Sequence, residues 1–155
     1  MRIELGAGVE ARLRRSLKEA RNREIGGMLF AEQLSPGIFK IVDFSVDPNS
    51  GSNAFFERDP VQHRDALNGF FEKTGHDYQR FNYLGEWHSH PSFSVRPSTR
   101  DIETMTELVS AAGSPITFAL LLIVRLRYFG SIDHSMFAFA RGQQPSKARL
   151  RARWI

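Results

Sequence analysis

Residues 118–124, FALLLIV, constrain the fold of this 155-residue chain more than any other segment. A strand that faces water on one side alternates apolar and polar residues, whereas an uninterrupted apolar run is typical of a strand buried on both faces. The run is also far shorter than the roughly 20 residues that a helix needs to cross a bilayer. We therefore expect residues 116–124 to form an internal strand of a well-covered sheet.

Strand and helix patterns alternate along the rest of the chain. Apolar residues at helical spacing predict an amphipathic first helix, and SPG between two apolar stretches predicts a hairpin. The interleaving predicts one domain, residues 1–155, of the α/β (α+β) class, with a mixed β-sheet flanked by helices and a basic C-terminal tail that is helical or partly disordered. The predicted helices are 9–21, 60–73 (capped by Asp59) and 99–112, and the predicted strands are 24–33, 38–46, 54–57, 81–90, 116–124, 126–132 and 135–140.

Composition removes several classes of function. The chain has no cysteine, which excludes a disulfide framework, a thiolate zinc finger, a cysteine nucleophile and a zinc deaminase with cysteine ligands. Any metal must therefore be held by histidine, carboxylate or water. The net charge is +4, but residues 1–23 carry +4, residues 24–140 carry −5 and residues 141–155 carry +5, so the centre offers no basic nucleic-acid surface. With no signal peptide pattern, we expect a cytoplasmic protein that contacts neither nucleic acid nor membrane.

The sequence GEWHSHPSFSVRPSTRD at residues 85–101 contains the residues best suited to chemistry. His88 and His90 are two apart on a predicted strand, so both imidazoles project from one face. Asp101 lies one turn into the following helix, and Ser98 precedes it by one helical turn. Two imidazoles and one carboxylate leave a position open for water, as catalytic zinc sites do.

Each of these residues also has a purely structural interpretation. A His-x-His pair is common on strands, Asp101 could stabilise a helix dipole, and Ser98 could be a simple N-cap. Glu86 shares the strand face of the histidines and could support them or form a salt bridge. The complete spacing, rather than any one residue, favours a metal centre.

His88-Ser89-His90-Pro91, with Ser98 and Asp101 at their fixed spacing, resembles the signature of the JAMM (JAB/MPN) metallopeptidases, H-x-H-x7-S-x2-D, in which Pro91 is the first of the seven residues. The upstream glutamate of that family would be Glu24, in E-I-G-G. The resemblance covers most of the chain and implies a JAB/MPN-like, cytidine-deaminase-like fold. It also implies that His88, His90 and Asp101 hold one Zn²⁺ per chain, that Glu24 is the general base, and that Ser98 stabilises the oxyanion.

GEWHSHP is more similar to the compact stand-alone bacterial members, which are often encoded with ubiquitin-like conjugation components in antiphage operons, including the nucleotide-signalling (CBASS) kind. The resemblance thus implies a zinc isopeptidase or peptidase that cuts after the C-terminal glycine of a ubiquitin-like modifier. Its partners would be the modifier or its conjugates, together with activating and conjugating-type proteins of the operon, in antiviral defence. We expect the modifier tail to add to a sheet edge beside the zinc. The alternatives are a non-catalytic MPN scaffold and a metal hydrolase of another small peptide or sulfur-carrier conjugate.

Overall fold

The computed structural model describes residues 1–47 and 60–152, with the side chains of residues 60–63 excluded. The predicted strand at 54–57 and the Asp59 cap lie outside this part. Eight strands and three α-helices occur in the described residues. They are β1 (Arg2–Leu5), α1 (Val9–Ala20), β2 (Gly26–Ser35), β3 (Ile38–Phe44), α2 (Pro60–Lys73), β4 (Phe81–Ser89), α3 (Thr99–Ser110), β5 (Phe118–Leu126), β6 (Ile132–Ala140), β7 (Ser146–Ala148) and β8 (Leu150–Arg151).

The strands form one mixed sheet in the order β7-β6-β5-β4-β2-β3-β1-β8. β4 and β5 run parallel, and β2 and β6 lie antiparallel on either side of that pair. β5 contains the apolar run 118–124 and is internal, as predicted. Parallel neighbours place the C-terminal ends of β4 and β5 at the same end of the sheet, which is where the candidate site is found.

Helices cover both faces of the sheet. The α1 side chains Val9, Leu13 and Leu17 pack on one face, against alternate residues of β4 and β5 such as Trp87 and Leu122. On the other face, α3 packs against the remaining alternate residues of β5, and α2 packs against β2. Because both faces of β5 are buried, its sequence does not alternate between apolar and polar residues. None of the helices in the described ranges is long and apolar enough to cross a membrane.

Two sequence predictions are wrong in detail, and one strand was missed. The predicted strand 126–132 is instead the end of β5, a tight turn at Tyr128–Gly130 and the start of β6. The tail was predicted to be helical or partly disordered, but in residues 141–152 it supplies the edge strands β7 and β8. The sequence analysis also missed β1, which is only four residues long and pairs with β3 and β8. Such short strands are stabilised by partners far away in the sequence rather than by a local pattern.

Candidate metal centre

His88 and His90 lie at the C-terminal end of β4, on the sheet face that α3 covers. Both side chains are buried, and their Nε2 atoms are 3.0 Å apart. Two nitrogen ligands of one tetrahedral zinc ion, each bonded at 2.0–2.1 Å, are separated by about 3.4 Å. The two imidazoles are therefore already close to the spacing that a shared ion requires.

The loop after β4 fixes the orientation of the His90 ring. Nδ1 of His90 lies 2.7 Å from the carbonyl oxygen of Ser94, which can only accept, so Nδ1 donates and the neutral ring presents a lone pair at Nε2. The Phe93 ring lies against the imidazole with centroids 4.1 Å apart. Burial lowers the pKa of His90, more than the Ser94 contact raises it. Metal-ligating histidines typically have this arrangement, with the second nitrogen donating to a carbonyl.

Asp101 is held beside the histidines by the start of α3. Ser98 is the N-cap, its Oγ accepts from the Asp101 backbone N–H at 3.1 Å, and Asp101 Oδ2 accepts from the Ser98 backbone N–H at 2.6 Å, forming a capping box. Asp101 Oδ1 lies 3.5 Å from Nε2 of His88, and Oδ2 lies 3.9 Å from Nε2 of His90. Burial alone would raise the pKa of Asp101, but the contacts with His88 and Ser98 together lower it to about 2. Asp101 is therefore ionised at neutral pH.

Glu24 lies two residues before the start of β2, and its carboxylate lies close to the imidazoles of His88 and His90. Its side chain is buried, and within the described part of the chain its Oε2 has no hydrogen-bond partner. Burial raises the pKa of Glu24, opposed by His88 and reinforced by Asp101. A buried carboxylate oxygen without a partner is costly, so its presence favours a ligand or a reacting group at this position.

Ser89 fastens Glu24 to the histidine strand. The Ser89 Oγ accepts from the Ile25 N–H at 3.0 Å, and the Ser89 backbone N–H donates to the Ile25 carbonyl at 2.8 Å. This double contact fixes the residue next to Glu24 against the residue between the two histidines. Sequence reasoning missed Ser89 as a functional residue, because the x in H-x-H carries no signal of what it will bind.

The surroundings of residue 26 explain why the first glycine of E-I-G-G is needed. Gly26 pairs with His88 across the β2–β4 ladder, and a Cβ at Gly26 would lie 2.3 Å from the Trp87 carbonyl oxygen and 2.9 Å from the Cβ of His88. Any larger residue must therefore push β2 away from the histidine strand.

We expect Gly26→Ala to lower the free energy of unfolding by about 1–3 kcal/mol, the usual cost of overpacking. Gly69→Ala in α2 is the matched control, since a Cβ there meets nothing within 4 Å and should stabilise the helix by about 0.5–1 kcal/mol. Urea unfolding of both variants measures the difference. A Gly26→Ala protein as stable as the wild type would show that this close approach is unimportant.

The residues present suit a metal ion. Among the described residues, one group of potential ligand atoms, from Glu24, His88 and His90, lies within 4.8 Å of one another, and Asp101 contacts both histidines. Nitrogen and carboxylate oxygen donors without thiolate are typical of catalytic zinc. The structure thus brings together all four of the residues predicted around the metal, while Ser98 borders them through its cap.

Two cavities lie on the sheet face that carries the histidines. Glu86, which is buried, lines both a small recess beside His88 and Asp101 and a larger cavity of about 650 Å³ between α2 and α3. The larger cavity is lined mainly by apolar side chains, including Leu67, Phe71, Leu108, Ile116 and Phe118. Glu86 therefore shares the histidine face, as predicted.

The predicted docking of a substrate strand at a sheet edge beside the zinc does not match the topology. β4 has β2 on one side and β5 on the other, and the edges formed by the described residues are the remote β7 and β8. No free edge of the described sheet lies beside His88 and His90. The described residues instead form an open cavity on this face of the sheet, between α2 and α3.

A family model described as prokaryotic homologues of the JAB domain matches residues 6–139. This chain belongs to that family. The matched range includes Glu24, His88, His90, Ser98 and Asp101, so the residues of the candidate centre all fall inside the JAB domain. A search of curated proteins finds no match.

Two solved structures share the fold of this JAB-domain protein at low sequence identity, and a third is less similar. A protein from Desulfitobacterium hafniense is similar with a TM-score of 0.71 and 19% identity, covering 96% of this chain and 91% of that one. A protein from Salinibacter ruber has a TM-score of 0.57 and 19% identity, covering 95% and 89%. A JAB1/MPN domain protein from Archaeoglobus fulgidus has a TM-score of 0.49 and 17% identity, covering 97% of both chains.

His76 and His134 are not among the potential ligands that converge on the centre. His76 lies in a turn with its Nδ1 2.9 Å from the Tyr78 hydroxyl. His134, predicted between strands, lies instead within β6, where burial lowers its pKa. Trp87 is fully buried in the core and donates to the Ser45 carbonyl. The side chain of His63, together with Phe55, Phe56 and Glu57, falls outside the described residues.

Proposed function

We propose that this JAB-domain protein is a zinc-dependent peptidase that hydrolyses the amide bond after the C-terminal glycine of a ubiquitin-like modifier. The observation that supports it is the convergence of two histidines and two carboxylates at the end of β4, where one buried carboxylate oxygen has no hydrogen-bond partner among the described residues. In this proposal His88, His90 and Asp101 hold the ion, and Glu24 stays free to accept a proton.

The division of roles between the carboxylates follows from their surroundings. Asp101 is locked by two capping hydrogen bonds, and it contacts both Nε2 atoms. Among the described residues Glu24 has no such anchor on Oε2, so that atom can take a proton from an adjacent water molecule and return it to the leaving amine. When bound, zinc supplies Lewis acidity that lowers the pKa of water to about 7.

Ser98 can act as a cap and as a hydrogen-bond donor at the same time. Its Oγ accepts from the Asp101 N–H, which leaves the hydroxyl proton free to donate. In the proposed reaction that proton stabilises the carbonyl oxygen of the substrate as negative charge develops on it. The cap and the oxyanion role therefore do not compete.

We expect Ser98→Ala to lose about 1 kcal/mol of stability together with most activity, because both roles disappear. Ser98→Asp should restore the cap, since Asp is as good an N-cap as Ser, but should not restore activity. Ser98→Thr keeps the hydroxyl and serves as the positive control. An active and stable Ser98→Asp protein would restrict Ser98 to capping.

The substrate class comes from the family, and the cleft is compatible with it. The apolar cavity between α2 and α3 would receive an extended apolar segment. Glu86 lines both this cavity and the small recess beside His88. The antiviral setting, the cytoplasmic location and the activating or conjugating partners implied by the resemblance stay predictions.

Cleavage of defined substrates tests the proposal. Purified protein would be incubated with a ubiquitin-like modifier fused through its C-terminal glycine to a short peptide, and with the same modifier joined to a lysine side chain. We expect mass spectrometry to show a new modifier C-terminus at glycine, with cleavage lost after chelation and restored by zinc. Cleavage of short peptides alone would favour another metal hydrolase, and zinc binding without cleavage of either substrate would favour the non-catalytic scaffold.

A further inference from the structure

A second cavity lies at the same end of the sheet as the metal centre but on the opposite face, beneath α1. It has a volume of about 250 Å³, and Leu17, Pro91 and Leu126 form its apolar part. Lys18, Arg21 and Arg23 also line it, and we call this cavity the basic pocket. A cavity of this size is smaller than the roughly 300–1,000 Å³ of small-molecule sites, and suits a single side chain.

The cations of the basic pocket differ from the other basic residues of α1. Arg12 pairs with Asp43, and Arg14 pairs with Glu10. In contrast, Lys18, Arg21 and Arg23 form no ion pair with any acidic group of residues 1–47 and 64–152. Three positive charges at one small apolar cavity repel each other and attract an anionic partner.

Two exposed aromatic residues follow shortly after Leu126, which lines the basic pocket. The tight turn Tyr128–Gly130, which we call the aromatic turn, begins two residues after Leu126. Tyr128 is 91% exposed and Phe129 is 108% exposed. Adjacent large aromatic side chains in contact with water are unusual unless a partner covers them.

The aromatic turn has a defined shape despite its exposure. Phe129 adopts a left-handed backbone conformation with φ of 65°, which is unfavourable for a bulky residue. The turn is closed by the Arg127 N–H donating to the Ser131 carbonyl at 2.8 Å, and Arg14 of α1 donates to the Gly130 carbonyl. A strained turn that is held by such contacts and presents two aromatic rings indicates a binding feature.

We infer that the basic pocket and the aromatic turn together bind an acidic polypeptide segment with an apolar anchor residue. The apolar side chain enters between Leu17 and Leu126, flanking carboxylates pair with Lys18 and Arg21, and the aromatic turn packs against the segment. Aromatic and arginine side chains around a small pocket are the residue types that dominate binding energy at protein interfaces. A concave apolar floor favours a peptide over a flat anionic membrane surface.

This surface is independent of the proposed hydrolysis, because it requires neither the metal nor the cleft between α2 and α3. Ser89 nevertheless lines the basic pocket while it lies between the two histidines, so its amide reports occupancy of the pocket. The test can therefore be made on full-length protein without measuring activity.

NMR titration with a defined probe tests the inference. The probe is a capped pentapeptide of one leucine with two glutamates on each side, and its matched control has glutamines in place of the glutamates. We expect saturable shift changes at the amides of Ser89, Leu126 and Phe129 with the glutamate peptide alone. The double variant Lys18→Glu/Arg21→Glu should weaken binding at least about tenfold, equivalent to about 1.4 kcal/mol.

Two further variants separate a specific surface from general charge attraction. Phe129→Gly keeps the left-handed turn and should weaken binding at least about threefold, by removing the ring. Lys147→Glu/Arg149→Glu makes the same charge change at β7 and just after it, two strands away from β5 and outside the lining of the basic pocket, and should leave the affinity unchanged. Equal binding of the glutamine peptide, shifts confined to other residues, no binding at millimolar peptide, or binding to anionic vesicles in place of the peptide would each overturn the inference.

Discussion

Replacing His88 by alanine is expected to remove tight zinc binding and to reduce hydrolysis at least about 1,000-fold. The Nε2 of His88 contacts both other predicted ligands, lying 3.0 Å from the His90 Nε2 and 3.5 Å from Asp101 Oδ1. Without the His88 imidazole, only His90 and Asp101 of the three predicted ligands remain to bind the ion. Zinc at about 1,000 times its dissociation constant should stabilise the wild type by about 4 kcal/mol, or roughly 10 °C in Tm, and the variant hardly at all.

Elemental analysis of the purified protein and thermal unfolding with and without zinc measure these effects. His76→Asn is the matched control, because His76 lies in a turn away from the centre and asparagine tolerates its left-handed backbone. The control should bind one zinc per chain as the wild type does. Normal zinc stoichiometry in His88→Ala would remove this residue from the ligand set.

Glu24→Gln is expected to lower activity by about 100- to 10,000-fold while zinc remains bound. Glutamine has nearly the same shape but cannot accept the proton from water. The same change should make the metal-free protein more stable at neutral pH by about 1 kcal/mol, because it removes a buried negative charge whose Oε2 has no partner in the described residues. A merely structural glutamate would show the opposite combination, with lower stability and no specific loss of activity.

The contribution of Glu24 to the stability of the metal-free protein depends on pH. Burial raises the pKa of Glu24 above its usual 4.5, so the folded protein binds this proton more tightly than the unfolded chain does. The resulting stability is fully present below pH 4.5 and is lost as the pH rises through the folded pKa. Metal-free wild type should therefore lose stability over that range relative to Glu24→Gln, as measured by urea unfolding at a series of pH values. Parallel curves for the two proteins would contradict the buried, raised-pKa carboxylate.

Much of the fold and of the centre could be predicted from local pattern. The strand period of two places His88 and His90 on one face, and the helix start at Thr99 places the Ser98 cap beside Asp101. The uninterrupted run 118–124 predicts an internal strand because both of its faces are buried. These features are determined by residues that are close together in the sequence, so they can be predicted without a structure.

The missed features depend on contacts between distant parts of the chain. β1 and β8 pair with each other across nearly the whole sequence, and neither is long enough to show a period. The position of β4 inside the sheet, which removes the expected docking edge, is a property of strand order rather than of any segment. Similarly, the need for glycine at Gly26 arises only because the Trp87 carbonyl lies across the ladder.

Anomalous diffraction at the zinc edge, from crystals of the zinc-loaded protein, tests most directly whether this end of β4 is a metal centre with a separate base. We predict one zinc peak per chain, at about 2.0–2.2 Å from the Nε2 atoms of His88 and His90 and from a carboxylate oxygen of Asp101. Glu24 should lie beyond bonding distance. Absence of the peak, or a zinc ion bound by Glu24 in place of Asp101, would contradict the assignment.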